Sequence, residues 1–251
     1  MPSLSTPEVH ASGSWFKRDG RRVDLSRRRA LSAILSALAE GDRLDVAVTA
    51  DAHADATVTG QAAEKIYRAI DAPARIRTRL DVGPGATLEW LPQETILFDG
   101  ARLERRIDVT LAADARLLLA ESVVFGRRAH GGEQFRTGRF DDRWRIDRDG
   151  KPLWRDALHV DGGSAALDAA AGLAGARAVA TLVYAASDGP GLIEPLRELI
   201  ARTGLFAGAT AARGLLIARM LSDEAGALKR ALAEVVGGFR ALALGRPATA
   251  P

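Results

Sequence analysis

The stretch Ile76-Arg77-Thr78-Arg79-Leu80-Asp81-Val82-Gly83-Pro84-Gly85-Ala86-Thr87-Leu88-Glu89-Trp90-Leu91-Pro92 decides the fold class. Apolar and polar residues alternate from Ile76 to Val82, the period of a half-buried strand. Gly83-Pro84-Gly85 is a strong turn signal. Ala86–Leu91 reads as the next strand, and Pro92 ends it.

The same pattern extends outward in both directions. Upstream, Leu44, Val46 and Val48 alternate with Asp45, Ala47 and Thr49, and Val58 lies in a second short extended run. Downstream come Ile96–Phe98, a turn at Asp99-Gly100, and Leu103–Leu111 with Leu103, Arg105, Ile107 and Val109 on one face. Asp-Gly between two such runs predicts a hairpin. Arg116–Phe125 is almost continuously apolar, as in a strand covered on both faces. Phe135–Asp147, anchored by Phe140, Trp144 and Ile146, turns at Asp149-Gly150 into Leu153–Val160. Turn signals recur roughly every 8–15 residues, so the expectation is a mainly β protein of sequential hairpins with no repeat of fixed length.

Helical signals are few. Leu31, Ile34, Leu35 and Leu38 predict a short amphipathic helix over Arg27–Glu40, stopped by Gly41. Residues 1–26 read as a loose lead-in, and Ser164–Ala174 is ambiguous between loop and helix. Arg177–Tyr184 reads as a strand and Ala209–Leu221 as a single extended segment. Two later helices are expected near 189–203 and 222–244, the first with the stripe Leu192, Ile193, Leu196, Leu199 and Ile200, the second with Leu228, Leu232, Val235, Val236 and Phe239.

Composition narrows the chemistry. The 251 residues are 47% apolar and 27% charged, with no cysteine and four histidines, His10, His53, His130 and His159, far apart. A disulfide framework, a zinc ribbon, an iron–sulfur cluster and a thiol nucleophile are excluded. No P-loop, dinucleotide fingerprint or Gly-x-Ser-x-Gly occurs, so no catalytic residue is assigned. Net charge is +3 with a pI of about 9.7. Lysine occurs only at Lys17, Lys65, Lys151 and Lys229; all other basic residues are arginine. That bias reflects either GC-rich coding or surfaces that pair with acidic partners. Basic runs without interleaved aromatics do not suit single-stranded nucleic acid. No segment approaches the ~20 apolar residues of a membrane helix, so a cytoplasmic protein that binds neither nucleic acid nor membrane is expected.

Three segments carry a more specific signal: Gln61-Ala62-Ala63-Glu64-Lys65-Ile66-Tyr67-Arg68, then Leu88-Glu89-Trp90-Leu91-Pro92-Gln93-Glu94-Thr95-Ile96-Leu97-Phe98-Asp99-Gly100-Ala101-Arg102-Leu103, then Glu121-Ser122-Val123-Val124-Phe125-Gly126-Arg127. In this order and spacing the chain resembles the urease accessory protein D family (UreD, called UreH in some bacteria), from about Gly41 to Val160 and more weakly to the C-terminal helix. Residues 1–41 match poorly and form a divergent N-terminal segment; residues 42–251 are expected to form one UreD-like domain. The resemblance implies a β-helix-like body of stacked sheets with two helices toward the C-terminus. It further implies a non-enzymatic protein that binds apo-urease and acts with the F protein (UreF) and the GTPase G protein (UreG) to deliver nickel. An internal water-filled passage lined by polar residues, with nickel in transit and no tightly bound cofactor, is implied as the route.

Candidate site residues follow from the resemblance together with their own chemistry. Glu121, inside an apolar strand, either faces that passage as a transient oxygen ligand or pairs with an arginine such as Arg116 or Arg127. Asp42 is either a passage carboxylate or a turn residue. Thr59, Gln93, Glu94, Asp99, Arg127 and Glu133 are passage-lining or partner-binding candidates, with local turn bonding the simpler account of Asp99. A lone loop histidine, His130, is more simply solvated than a nickel ligand. Two other readings remain: a β-helical carbohydrate-active enzyme using Glu121 and Glu133 as paired carboxylates, and a divergent homologue that only binds.

Overall fold

The computed structural model describes residues 9–16, 22–24, 37–60, 62–127, 131–162, 164–170 and 172–246. Alternation along the chain builds two sheets, A and B. Sheet A takes β1 (Val9–Phe16), β2 (Arg22–Asp24), β4 (Arg43–Ala50), β7 (Ala74–Val82), β10 (Arg102–Leu111), β13 (Arg139–Arg148) and β14 (Lys151–Asp161), in the order β14-β13-β10-β7-β4-β1-β2. Sheet B takes β3 (Ala37–Leu38), β5 (Asp55–Thr59), β6 (Glu64–Ile66), β8 (Thr87–Leu91), β9 (Thr95–Leu97), β11 (Arg116–Arg127), β12 (Glu133–Gln134), β15 (Ala178–Ala185), β16 (Phe206–Ala212) and β17 (Leu215–Ser222). Its long path runs β16-β17-β15-β11-β9-β6-β3, with β5 and β8 beside the first half of β11.

The central pairings are parallel. Strands β4, β7, β10 and β13 lie side by side in one direction, as do β5-β8-β11 and β3-β6-β9-β11. The chain therefore coils between the sheets, as the β-helix-like expectation requires. Leu44, Ile76, Arg105 and Asp142 occupy one row across sheet A. The intervals between those four residues differ, which is why no fixed repeat is visible in the sequence.

Among the described residues no consecutive strands from β3 to β10 pair, whereas β1–β2, β11–β12, β13–β14 and β16–β17 are antiparallel neighbours, and the Asp99-Gly100 expectation is corrected. That turn does not join paired strands: β9 belongs to sheet B and β10 to sheet A. Asp149-Gly150 does make a hairpin, joining β13 to β14 with φ of 49° and 69° at the two turn residues. The dipeptide sets a tight reversal in both places. The pairing of the next strand depends on whether it buries its apolar face beside the last one or across the core from it.

Residue parity makes three layers. On β11, Leu117, Leu119, Val123 and Phe125 pack between the sheets, whereas Leu118, Ala120 and Val124 face the helices. The helices are α1 (Ser164–Asp168), α2 (Ile193–Arg202) and α3 (Ala225–Leu244), with α2 and α3 packed on sheet B. Both faces of β11 are covered, which explains its unbroken apolar run. Among the described residues no helix is long and apolar enough to cross a membrane.

Other expectations change. Ala37-Leu38 is strand paired with β6, not the end of a helix; residues 27–36 of that expected helix lie outside the described residues. The lead-in holds two strands, with β1 antiparallel to β4. Ala209–Leu221 is split by the Arg213-Gly214 turn, where both φ values are positive, into the hairpin β16–β17. The run of small residues before the turn, with no Asn, Asp or Pro at it, hid that break.

Phe125 is fully buried, edge-on to Phe135 and Phe140 at centroid separations of 5.6 and 5.9 Å. Phe125→Ala should lower unfolding free energy by about 3–5 kcal/mol, read by chemical denaturation.

Candidate functional site

Alternation along β10 and β13 turns Arg105 and Asp142 inward with Leu103, Ile107, Phe140 and Trp144. Glu121 arrives from β11 on the opposite sheet. All three are buried, with 5%, 6% and 7% exposure for Arg105, Asp142 and Glu121. Arg105 holds both acids. Its Nε and Nη2 donate to Asp142 Oδ1 and Oδ2 at 2.9 and 2.6 Å, and its Nη1 donates to Glu121 Oε2 at 2.8 Å. Trp90 Nε1 donates to Glu121 Oε1 at 2.8 Å, and Trp144 Nε1 donates to Asp142 Oδ2 at 2.9 Å. The guanidinium also stands 5.5 Å from the Phe140 ring centroid. Glu121 does pair with an arginine, but with Arg105 rather than Arg116 or Arg127.

A third carboxylate, Glu64 on β6, accepts a 3.5 Å hydrogen bond from Thr95 Oγ1. Burial, reinforced by the charge of Glu121, pushes its pKa up to about 7 against the pull of Arg105 and Thr95. Burial likewise raises the Glu121 pKa, opposed by Arg105 and Trp90. Burial works against the charge of Arg105, but Asp142 and Glu121 outweigh it and hold that pKa above its ordinary value.

Two chambers meet at this cluster. The smaller, of about 60 Å³, is lined by Thr59, Gly60, Pro92 and Gln93, at the breaks between β5 and β6 and between β8 and β9, together with Glu64, Arg105 and Glu121. The larger, of about 650 Å³, also touches Arg105, Glu121 and Asp142 and extends to Asp156, His159, Phe206 and Arg219 at the edge strands β14 and β16. Arg219 and Asp156 form an ion pair from sheet to sheet there. Arg105 is thus shared by two paired acids, Asp142 and Glu121, with Glu64 nearby. Among the described residues no three His, Asp or Glu side chains converge to hold a metal ion.

The other sequence candidates scatter. Thr59 and Gln93 line the smaller chamber. Glu94 faces α3, where Lys229 Nζ donates to it at 3.0 Å and to Gln93 Oε1 at 3.1 Å. Asp42 accepts a hydrogen bond from Ala39 N at 3.0 Å and lines neither chamber, as a turn residue should. Asp99, Arg127 and Glu133 form one corner cluster. Glu133 accepts from Asp99 N at 2.9 Å and from Arg127 Nε at 2.6 Å, while Asp99 Oδ1 accepts from the backbone N of Arg136 and Thr137. Burial works against the charge on Asp99, but those two N–H donors hold its pKa below the usual carboxylate range. Glu121 and Glu133 are thus each bound to a different arginine in different places and do not face each other as a carboxylate pair. His130 lies outside the described residues. Sequence reasoning missed Arg105, Asp142 and Glu64 as site residues. The signal was present for the first two, because each is a charge at an inward position of an alternating strand.

The UreD urease accessory protein family model matches residues 36–251. The chain belongs to the UreD family. A protein named urease accessory protein UreD from Methylobacterium sp. (strain 4-46) is 48% identical over 215 residues, 83% of this chain and 76% of its own length. UreD from Granulibacter bethesdensis is 46% identical over 225 residues, 88% of this chain and 92% of that protein. UreD from Rhodopseudomonas palustris (strain CGA009) is 42% identical over 243 residues, 95% of this chain and 85% of that protein. The matched region takes in the two chambers and the cluster between them.

Removing one member of a buried charge cluster strands the others. Arg105→Met should therefore cost about 3–5 kcal/mol in chemical denaturation, and Arg105→Met/Glu121→Leu/Asp142→Leu should regain more than half of it. The Glu64 pKa lies above its unfolded value, so the folded state holds the extra proton between the two. Wild-type stability relative to Glu64→Gln should fall as pH rises from about 4.5 to about 7 and be flat below that window. Denaturant midpoints measured across pH check the sign.

Proposed function

We propose that this UreD-family chain is a non-catalytic scaffold that binds apo-urease together with the F and G accessory proteins and gives nickel a route through its interior. The observation that carries the reading is the pair of chambers meeting at Arg105 and Glu121 in the middle of the molecule. Among the described residues their polar lining is mainly oxygen and guanidinium, with the single histidine His159, and the sequence has no cysteine. Carboxylate, hydroxyl and amide oxygens exchange a hydrated divalent ion readily, whereas thiolate and clustered imidazole would retain nickel. A carrier that must give up its cargo is better served by scattered oxygens than by a closed ligand set. GTP hydrolysis falls to the G protein, because this sequence has no P-loop. A GTP-hydrolysing partner calls for a cytoplasmic setting.

Gly208 lies on the wall of the larger chamber near its edge, and a Cβ added there meets nothing within 4 Å. Gly208→Trp should put an indole into the open edge of the larger chamber without disturbing the fold. Nickel-dependent activation of apo-urease should then drop at least tenfold while co-purification with urease and the F protein stays at the wild-type level. Full activation by this variant would sink the interior route. Parallel loss of activation and co-purification would move the effect to docking.

A further inference from the structure

The outward face of sheet A sets acids opposite some of its arginines, Asp45 beside Arg77 and Asp108 between Arg79 and Arg145, yet the arginines outnumber them. Alternation points Arg77 and Arg79 of β7, Arg106 of β10, and Arg143 and Arg145 of β13 away from the core. Arg77, Arg106 and Arg143 stand in one row on three neighbouring parallel strands. Adjacent strands are about 4.8 Å apart, so the three guanidinium groups crowd one another. Like charges directly opposite on a sheet destabilise it. Among the described residues only Arg106 in that row has an ion partner, Asp108 at 2.6 Å. Arg77, Arg79, Arg143 and Arg145 are exposed and make no ion pair or hydrogen bond among the described residues. A depression of about 290 Å³ opens among Arg77, Arg106 and Arg143, its wall completed by the ion pairs Arg75–Glu104 and Arg139–Asp141.

We infer that this face is a docking surface for a carboxylate-rich protein surface, and, resting on the function proposed above, that the apo-urease protein carries it. Arginine forks match carboxylates bidentately, and arginine is enriched at protein interfaces where lysine is depleted. The face mixes signs, with Asp45, Glu104, Asp108 and Asp141 among the arginines. A protein surface can answer that pattern charge for charge, whereas a nucleic-acid backbone laid across it would meet the carboxylates. The outward positions of β4, β7, β10 and β13 carry no aromatic or large apolar side chain for stacking on bases or entering a membrane. Four strands about 4.8 Å apart and about 30 Å long offer about 600 Å², a large part of one side of a standard interface. The face lies across the core from α3, so a partner here leaves the helical layer free for another.

The test measures association of the full-length chain with purified apo-urease at 50, 150 and 500 mM salt. The wild-type on-rate should fall at least tenfold across that range. Arg77→Ser/Arg143→Ser/Arg145→Ser should bind at least tenfold more slowly at 50 mM, with a flatter salt dependence and a Tm no lower than wild type. The single variants Arg77→Gln and Arg143→Gln should each slow association two- to fivefold, which guards against a folding defect in the triple variant. Triple-variant on-rates within twofold of wild type would overturn the surface while leaving the functional reading intact. A wild-type chain that binds no apo-urease at any salt would overturn both. Displacement of apo-urease by an equimolar short DNA duplex would replace the protein occupant with nucleic acid and overturn the inference.

Discussion

The Arg105 guanidinium, held by Asp142 from its own sheet and Glu121 from the facing one, is the contact on which the middle of the molecule depends. Two sheets packed only through apolar side chains would close on each other at native density. Burying charge is costly unless it is paired, and these three groups are paired with one another between the two chambers. The Trp90 indole satisfies the other Glu121 oxygen and the Trp144 indole adds a second donor to Asp142 Oδ2, which leaves Arg105 little freedom to turn. One arginine thereby joins the layers.

Most of the fold was legible because inward and outward residues alternate so regularly. Strands β4, β7, β10 and β13 lie where the period of two places them, β11 where its apolar run does, and both long helices follow their apolar stripes, whereas the short β6 and β12 left no such signal. Connectivity was not legible. Asp99-Gly100 and Asp149-Gly150 are the same dipeptide, yet only the second closes a hairpin. The difference lies in partners remote in sequence: Asp99 is claimed by the backbone of Arg136 and Thr137. Parallel pairing joins residues a whole circuit apart, and such long-range choices leave no local mark.

The site was legible in part for the same reason. Glu121 stood out because a lone acid interrupts an apolar run. Arg105 sat in plain view between Leu103 and Ile107, but a single strand does not say what faces it across the core. Asp142 was masked by its charged neighbours Asp141 and Arg143, although its parity with Phe140 and Trp144 marks it as inward. Glu64 acquires its meaning only from the partners that the circuit brings around it.

Parity also explains how a second arginine clasp came to lie on the other side of sheet B. Glu89 and Trp90 are consecutive on β8 and so point to opposite faces. Trp90 turns toward sheet A and donates to Glu121, whereas Glu89, fully buried, turns toward α3 and receives Arg240 Nε at 2.6 Å and Nη2 at 3.0 Å. Arg246, just beyond α3, joins the same carboxylate and also pairs with Asp55. A slip of β8 by one residue would put an indole against α3 and a bare carboxylate beside Glu121, losing both clasps together. The register of one five-residue strand is therefore held by charge from both faces, and the helical layer and the inter-sheet space share a single geometric condition.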